Sequence, residues 1–346
     1  MIALIALLAA AAQPGAPARV DAAAQSQKFA GMVLLAEGGT VTLEQGYGLK
    51  AASAQPRANQ PTDFAAGDRW RWASVTKQII ATMAMQDVAA GRLALDAPIT
   101  RYLPGFRGPT GARITVAMLL GHESGLPDSN ANDGAAFQRG FRGSLDPLTG
   151  LCAGPVRDQP GASFYYDNCD YLVAGRLLEA VNRTPLATLL ATRITRPLGM
   201  ASVAWAGAHV PAASQEGAIN LAAFGSAAAL TGTVRDLWRF DQALIDGKLL
   251  PMAQRDLMWA GKPGNGFAAL GQWSFRVNLR GCADDVLLIE RRGAIGGVQV
   301  RNYILPERNI VLIAMTNRDT IDFGELWQGK GLGHDLLSAA ACKVEA

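Results

Sequence analysis

Ser74 and Lys77 are the residues in this chain whose types and spacing point most directly to covalent chemistry. A serine hydroxyl is a weak nucleophile until a neighbouring base takes its proton. Three positions apart on a helix, the two side chains share a face and come within hydrogen-bond reach. Ser74-Val75-Thr76-Lys77 follows Trp70-Arg71-Trp72-Ala73 and should open a helix running to about Ala90, with Gly91 as its cap. A serine at that end meets the positive pole of the helix dipole, which favours developing negative charge. Ile79, Ile80, Met83, Ala84 and Val88 cover much of the circumference, so the helix should be largely buried. Desolvation then disfavours the ammonium of Lys77 and pushes it toward the neutral base. The same spacing would also suit a capping serine and a lysine whose stem lies along apolar surface.

Other signatures are absent. No serine lies in Gly-x-Ser-x-Gly, and no Gly-x-x-x-x-Gly-Lys-Ser/Thr phosphate loop occurs. Gly329-Lys330-Gly331-Leu332-Gly333 lacks a preceding strand and reads as a turn. His122, His209 and His334 are far apart, and no cysteine pair has Cys-x-x-Cys spacing, so the sequence implies no metal and no other cofactor.

The elements that must position Ser74 and Lys77 are drawn from 346 residues, 49% hydrophobic and 18% charged, enough for a sizeable core and too apolar for a disordered chain. A net charge of +3 supplies no broad basic surface, which argues against nucleic acid as a partner. Gly31–Ala36 and Thr40–Gly48 read as strands of a hairpin around Gly38-Gly39. Leu177–Val181, Leu186–Ile194 and Val234–Leu244 are the clearest helices further on. After them Leu270–Leu279, Val286–Glu290, Val298–Leu305 and Ile310–Met315 read as consecutive strands, with a turn at Pro306-Glu307-Arg308-Asn309. Leu326–Ala341 reads as a closing helix. Strands at both ends with helices between predict an α/β fold of the α+β type. The expected division is an α/β sheet domain from 19–95 and 230–346, with a helical domain at 96–229.

Ile2–Ala12 is an unbroken apolar run, too short to span a bilayer, followed by small residues and prolines to Ala18. Residues 1–18 resemble a signal peptide, cleaved at Ala10-Ala11-Ala12 or Ala16-Pro17-Ala18, although the basic leading region is missing. The expectation is a secreted or periplasmic protein with no membrane span. In an oxidising compartment its four cysteines read as two disulfides, with three possible connectivities. Cys152–Cys169 with Cys282–Cys342 is the expected set: the first closes a short loop beside Asn168, and the second pins the closing helix to a hairpin.

Four elements in order resemble the serine β-lactamase and penicillin-binding-protein-like family, in the branch of class C β-lactamases, D-alanyl-D-alanine carboxypeptidases and related esterases. They are Ala73-Ser74-Val75-Thr76-Lys77, Leu119-Leu120-Gly121-His122-Glu123-Ser124-Gly125-Leu126-Pro127, Pro160-Gly161-Ala162-Ser163-Phe164-Tyr165-Tyr166-Asp167-Asn168, and Arg291-Arg292-Gly293-Ala294-Ile295-Gly296-Gly297. The resemblance implies an antiparallel sheet flanked by helices, with the site between it and an all-helical region. It makes Ser74 the nucleophile, Lys77 its base and Tyr166 the proton shuttle, with Asn168 on the substrate amide. It also implies an oxyanion hole from the backbone N–H groups of Ser74 and Ala294, beside Gly293. Tyr165 should pack away from the site and His122 should be structural. Glu123 stands where the family has a small hydroxyl residue.

Arg291 departs from the family's lysine or histidine. An arginine keeps its charge at every working pH and offers a planar donor fork, but no proton to share. It is therefore expected to anchor a substrate carboxylate, with Arg292 on the opposite side of the strand. The resulting expectation is a secreted serine hydrolase that forms an acyl-enzyme on a peptide or small-molecule amide, ester or lactam. The rival expectation is a binding protein that retains the pocket and has lost turnover. Oligomeric state is not legible from the sequence.

Overall fold

Strand β1 (Gly31–Glu37) is apolar along almost its whole length and is buried on both faces. The computed structural model describes residues 14–50, 63–127, 135–213 and 219–343. In it Met32, Leu34 and Ala36 join one apolar core, and Val33 and Leu35 a second. Successive side chains of a strand point to opposite faces, so such a run must be covered on both sides. β1 pairs antiparallel with β2 (Thr40–Tyr47) and β9 (Ile310–Thr316). β8 (Val298–Leu305), β7 (Val286–Ile295) and β6 (Trp273–Val277) complete a sheet of order β2-β1-β9-β8-β7-β6. The outer core lies beneath helix α1 (Ala16–Ser26) and the closing helix Leu332–Ala341. The inner core contains helix α2 (Thr76–Ala89) and the helix Val234–Ile245. A short second sheet joins β3 (Trp70–Arg71), β5 (Leu230–Gly232) and β4 (Ala204–Trp205).

The α/β architecture matches the expectation, and several local readings change. Residues 1–13 of the expected signal peptide lie outside the described residues, but Ala16–Ala18 already belong to α1. Ala16, Val20 and Ala24 recur every four residues and are buried, and Arg19 Nε donates to Ala339 O of the closing helix (3.1 Å). The closing helix begins at Leu332: a 3-10 turn at Leu326–Gln328 ends at Gly329, and Gly331 takes φ 94°. The stretch 96–229 is not wholly helical, since it contributes β4, which pairs with β5. The helix read as Leu177–Val181 extends back to Asn168 and on to Asn182, because Asp167 caps it through Cys169 N–H.

The most consequential change is the length of β7. It runs five residues beyond Glu290, through Arg291–Ile295, whereas its pairing with β6 stops at Trp273↔Glu290. That segment pairs with β8 on one side only and presents its other edge to the turn that carries Ser74. Both expected disulfides are present, Cys152–Cys169 and Cys282–Cys342. No helix among the described residues is long and apolar enough to cross a membrane.

Candidate active site

Ser74 sits in a 3-10 turn, Ala73–Val75, that feeds directly into α2. Ala73 takes φ 49°, a left-handed conformation that is costly for a residue with a Cβ. β5 fastens the turn on both sides of the serine. Trp72 N–H donates to Leu230 O (2.9 Å) and its indole to Gly232 O (3.1 Å), while Leu230 N–H donates to Thr76 Oγ1 (3.2 Å). Opposite lies the open edge of β7. A Cβ on Gly293 would stand 2.4 Å from Trp72 O and 3.3 Å from Ser74 N, so glycine is what lets strand and turn approach. Ala294 follows it on the edge and is exposed.

Lys77 is fully buried, and its Nζ has three oxygen partners: Ser74 Oγ (3.3 Å), Asn168 Oδ1 (2.7 Å) and Ala227 O (3.1 Å). Burial lowers its pKa to about 8, with the charge of Arg291 adding to the fall and Tyr166 opposing it. Tyr166 Oη lies 2.7 Å from Ser74 Oγ and accepts a hydrogen bond from Arg291 Nη2 (2.6 Å). Burial pushes the phenol up, but the positive charges of Arg291 and Lys77 outweigh it and bring Tyr166 down to about 8. Two groups that normally titrate near 10 are thus poised to exchange a proton with one hydroxyl in near-neutral water.

Arg291 is 2% exposed, which changes its expected role. Its Nε donates to Ser74 O (2.7 Å) and its Nη2 to Tyr166 Oη, and its guanidinium lies against the rings of Tyr166 (5.1 Å) and Trp273 (5.0 Å). Donors already committed inside the protein are poorly placed to grip a substrate carboxylate; the geometry makes Arg291 a fixed cation beside the phenol. Arg292 points the other way, as expected, and pairs with Glu290 and Glu325.

His122 is structural, though intimately so. Its backbone O accepts from Tyr165 N–H (2.8 Å) and its Nδ1 from Asp167 N–H (3.3 Å), so it brackets Tyr166 on both sides. Its ring lies 4.6 Å from the Tyr166 ring, and Nδ1 is 2.9 Å from Asp170. Burial first, then Lys77 and Arg291, hold His122 well below its ordinary pKa, and burial raises Asp170. Glu123, the departure from the family's small hydroxyl, accepts from Lys262 and Asn265 and ties this segment to the loop before β6. Tyr165 is exposed and stacks on Arg157 rather than entering the site.

The geometry therefore places Ser74, Lys77, Tyr166, Asn168, Arg291 and Gly293 together, as the sequence motifs implied. A family model described as Beta-lactamase matches residues 16–329. The chain belongs to the β-lactamase family.

Among curated proteins, it is 27% identical to Esterase EstB of Burkholderia gladioli, over 92% of this chain and 77% of that one. It is 29% identical to a putative D-alanyl-D-alanine carboxypeptidase of Escherichia coli K12, but over 41% of this chain and only 35% of the relative. Among solved structures, a D-stereospecific amidohydrolase from Streptomyces sp. superposes with a TM-score of 0.71 at 25% identity, covering 95% of this chain and 99% of that one. A D-amino acid amidase from Ochrobactrum anthropi SV3 superposes at 0.75 with 22% identity, over 94% and 97%, which shows the shared fold. With this site, membership in the β-lactamase family makes the protein a serine hydrolase.

Sequence reasoning missed two contributors. Ala227 O holds Lys77 through its backbone, which leaves no trace in residue type. Trp273 stacks on Tyr166 (5.9 Å) and on Arg291, and an aromatic at the start of a strand gave no hint of it.

Proposed function

We propose that the protein is a secreted hydrolase that forms an acyl-enzyme on Ser74 and acts on D-amino-acid peptides, small esters or β-lactams. The single observation that carries this reading is Ser74 Oγ within reach of both Lys77 Nζ and Tyr166 Oη. In the first step Tyr166, as phenolate, or neutral Lys77 takes the hydroxyl proton while Oγ bonds to the substrate carbonyl. The N–H groups of Ser74 and Ala294 receive the oxyanion. Collapse breaks the bond to the leaving group, which takes its proton from Tyr166. Water then attacks the ester, gives its proton back to the same network and releases the acid. Asn168, fixed by Lys77, is the partner for a substrate amide.

The names of the relatives, an esterase and an amidohydrolase, support esters and amides as the substrate classes. Ser74→Ala should abolish turnover and labelling by an active-site-directed phosphonate while leaving folding intact. Hydrolysis screens across simple esters, D-Ala-D-Ala peptides and cephalosporins then assign the class, and substantial residual turnover by Ser74→Ala would end the proposal. For export, cleavage at Ala10-Ala11-Ala12 leaves α1 whole, and N-terminal sequencing of periplasmic protein tests it.

A further inference from the structure

We propose that Arg71 is a positioning residue for the oxyanion hole, setting the place of Ala294 relative to Ser74. The proposal rests on the acyl-enzyme reading above and adds the side chain that holds its two oxyanion donors in register. Those donors come from distant parts of the chain and are anchored very differently. Ser74 belongs to the turn that β5 fastens on both sides. Ala294 stands near the end of β7, beyond the last pairing with β6, with β8 as its strand partner.

The end of β7 is the looser of the two. Ile295 pairs with Val298 across Gly296 and Gly297, which take φ 53° and 78°. Residues flanking a two-residue hairpin turn bond to one another, and backbone groups alternate between the two edges of a strand. Ile295 therefore faces β8, and Ala294 turns its N–H to the open edge, toward the Ser74 turn. Glycine gives the chain more conformational freedom than any other residue, and a strand end held from one side opens more readily than the interior of a sheet. A donor must stand about 2.7–3.1 Å from the developing oxyanion to stabilise it, so this end needs an anchor.

Arg71 supplies it. The residue lies on β3, opposite Thr231 of β5 and three positions before Ser74. Its side chain is buried, and Nη1 donates to both Ile295 O (3.3 Å) and Gly296 O (3.2 Å). One planar group of fixed charge thus joins the segment that carries Ser74 to the two carbonyls that directly follow Ala294. Ala73 and Ile295 share a small apolar cluster along the same seam. The approach of Gly293 to Trp72 O limits how near the strand can come to the turn. Arg71 limits how far it can swing away.

The test compares an aryl ester with its thionoester, which carries sulfur in place of the carbonyl oxygen. The two share the acyl chain and the leaving group, and they need the same nucleophile and proton transfers. Sulfur is a weak hydrogen-bond acceptor, so the thionoester draws little from the two N–H donors. A displaced hole slows the oxygen ester, whereas a damaged nucleophile or a loosened fold slows both alike. In Arg71→Met, kcat/KM for the oxygen ester should fall by about a hundredfold, the effect of losing one oxyanion donor, and the oxygen-to-sulfur ratio by about tenfold or more. Arg71→Lys keeps the charge and loses the fork, and its ratio should lie between those of Arg71→Met and wild type. Tyr166→Phe, as the control, should slow both esters and leave the ratio in place. If Arg71→Met does not fold, Arg71→Lys decides by the same ratio. An unchanged ratio in the folded Arg71 variants overturns the positioning role and leaves the acyl-enzyme reading standing. A ratio near one in wild type overturns it too. If wild type hydrolyses neither ester and mass spectrometry finds no acyl group on Ser74, the acyl-enzyme reading fails and the positioning role falls with it.

Discussion

Replacing Arg291 by glutamine keeps a hydrogen-bonding side chain beside Tyr166 and removes the charge. In the native site that charge helps hold both Tyr166 and Lys77 at about 8. Without it the charged phenolate loses a stabilising neighbour and the ammonium loses a repelling one, so both pKa values rise. Proton abstraction from Ser74 needs the deprotonated form of the pair. The acid limb of kcat/KM for a neutral ester should therefore move to higher pH in Arg291→Gln, by roughly one unit. The variant should be slow at pH 7 and recover toward pH 10; an acid limb that stays put would show that Arg291 only packs. Lys77→Arg should be nearly inactive at every pH, because arginine cannot accept the serine proton and its larger head cannot keep the three contacts of Nζ. Near-normal rates in both Lys77→Arg and Tyr166→Phe would mean that a different group is the base.

At the scale of elements, the site depends on one close approach, between the open edge of β7 and the Ser74 turn. Gly293→Ala puts a Cβ 2.4 Å from Trp72 O, and backbone on both sides leaves neither partner free to yield. Activity should fall by about a hundredfold or more, as displacements near 1 Å do elsewhere, with little loss of secondary structure by circular dichroism. A second element-level prediction concerns the seam between α2, the Val234–Ile245 helix and β8. Asp241 is buried there, accepting from Gln78 Nε2 (2.9 Å) and Asn302 Nδ2 (3.0 Å), and burial pushes it up to about 8. The folded state holds a proton that the unfolded chain has released, so stability falls as pH rises from about 4 to about 8 and then levels. Asp241→Asn should flatten that slope and raise Tm at pH 9 relative to wild type; a parallel loss at all pH values would refute the protonated carboxyl. How far these elements could be read in advance follows from how local their causes are. β8 and β9 were legible because apolar runs and the Pro306–Asn309 turn bound them, and α2 because its apolar positions wrap it. The end of β7 was not, since four of its last five residues are polar or small and the segment is strand only through β8. α1 was hidden by a run of small residues that also suits a leader. Arg291 could be recognised as a cation, but its orientation depends on Tyr166, from a distant part of the chain, and on Trp273, across the sheet on β6.

Across the whole molecule, the two disulfides separate stability from activity. Cys282–Cys342 joins the β6–β7 connection to the end of the closing helix and spans 60 residues of sequence, whereas Cys152–Cys169 spans 17. In the chain-entropy model the longer loop contributes roughly 4 kcal/mol and the shorter roughly 3. On stability alone, the serine double variant of Cys282 and Cys342 should be the more damaged of the two. Its bridge, however, lies on the outer side of the sheet, packed with α1 and the closing helix, away from Ser74. Cys169 directly follows Asn168, whose Oδ1 holds Lys77 at 2.7 Å, and the segment that leads into it carries Tyr166. Loss of Cys152–Cys169 frees the loop that ends at those two residues, so its effect should fall on kcat. Denaturant midpoints and ester kinetics on the two double variants should therefore rank in opposite orders. If both measurements rank them the same way, the short bridge is a staple for the fold and does not set the geometry of the Tyr166 segment.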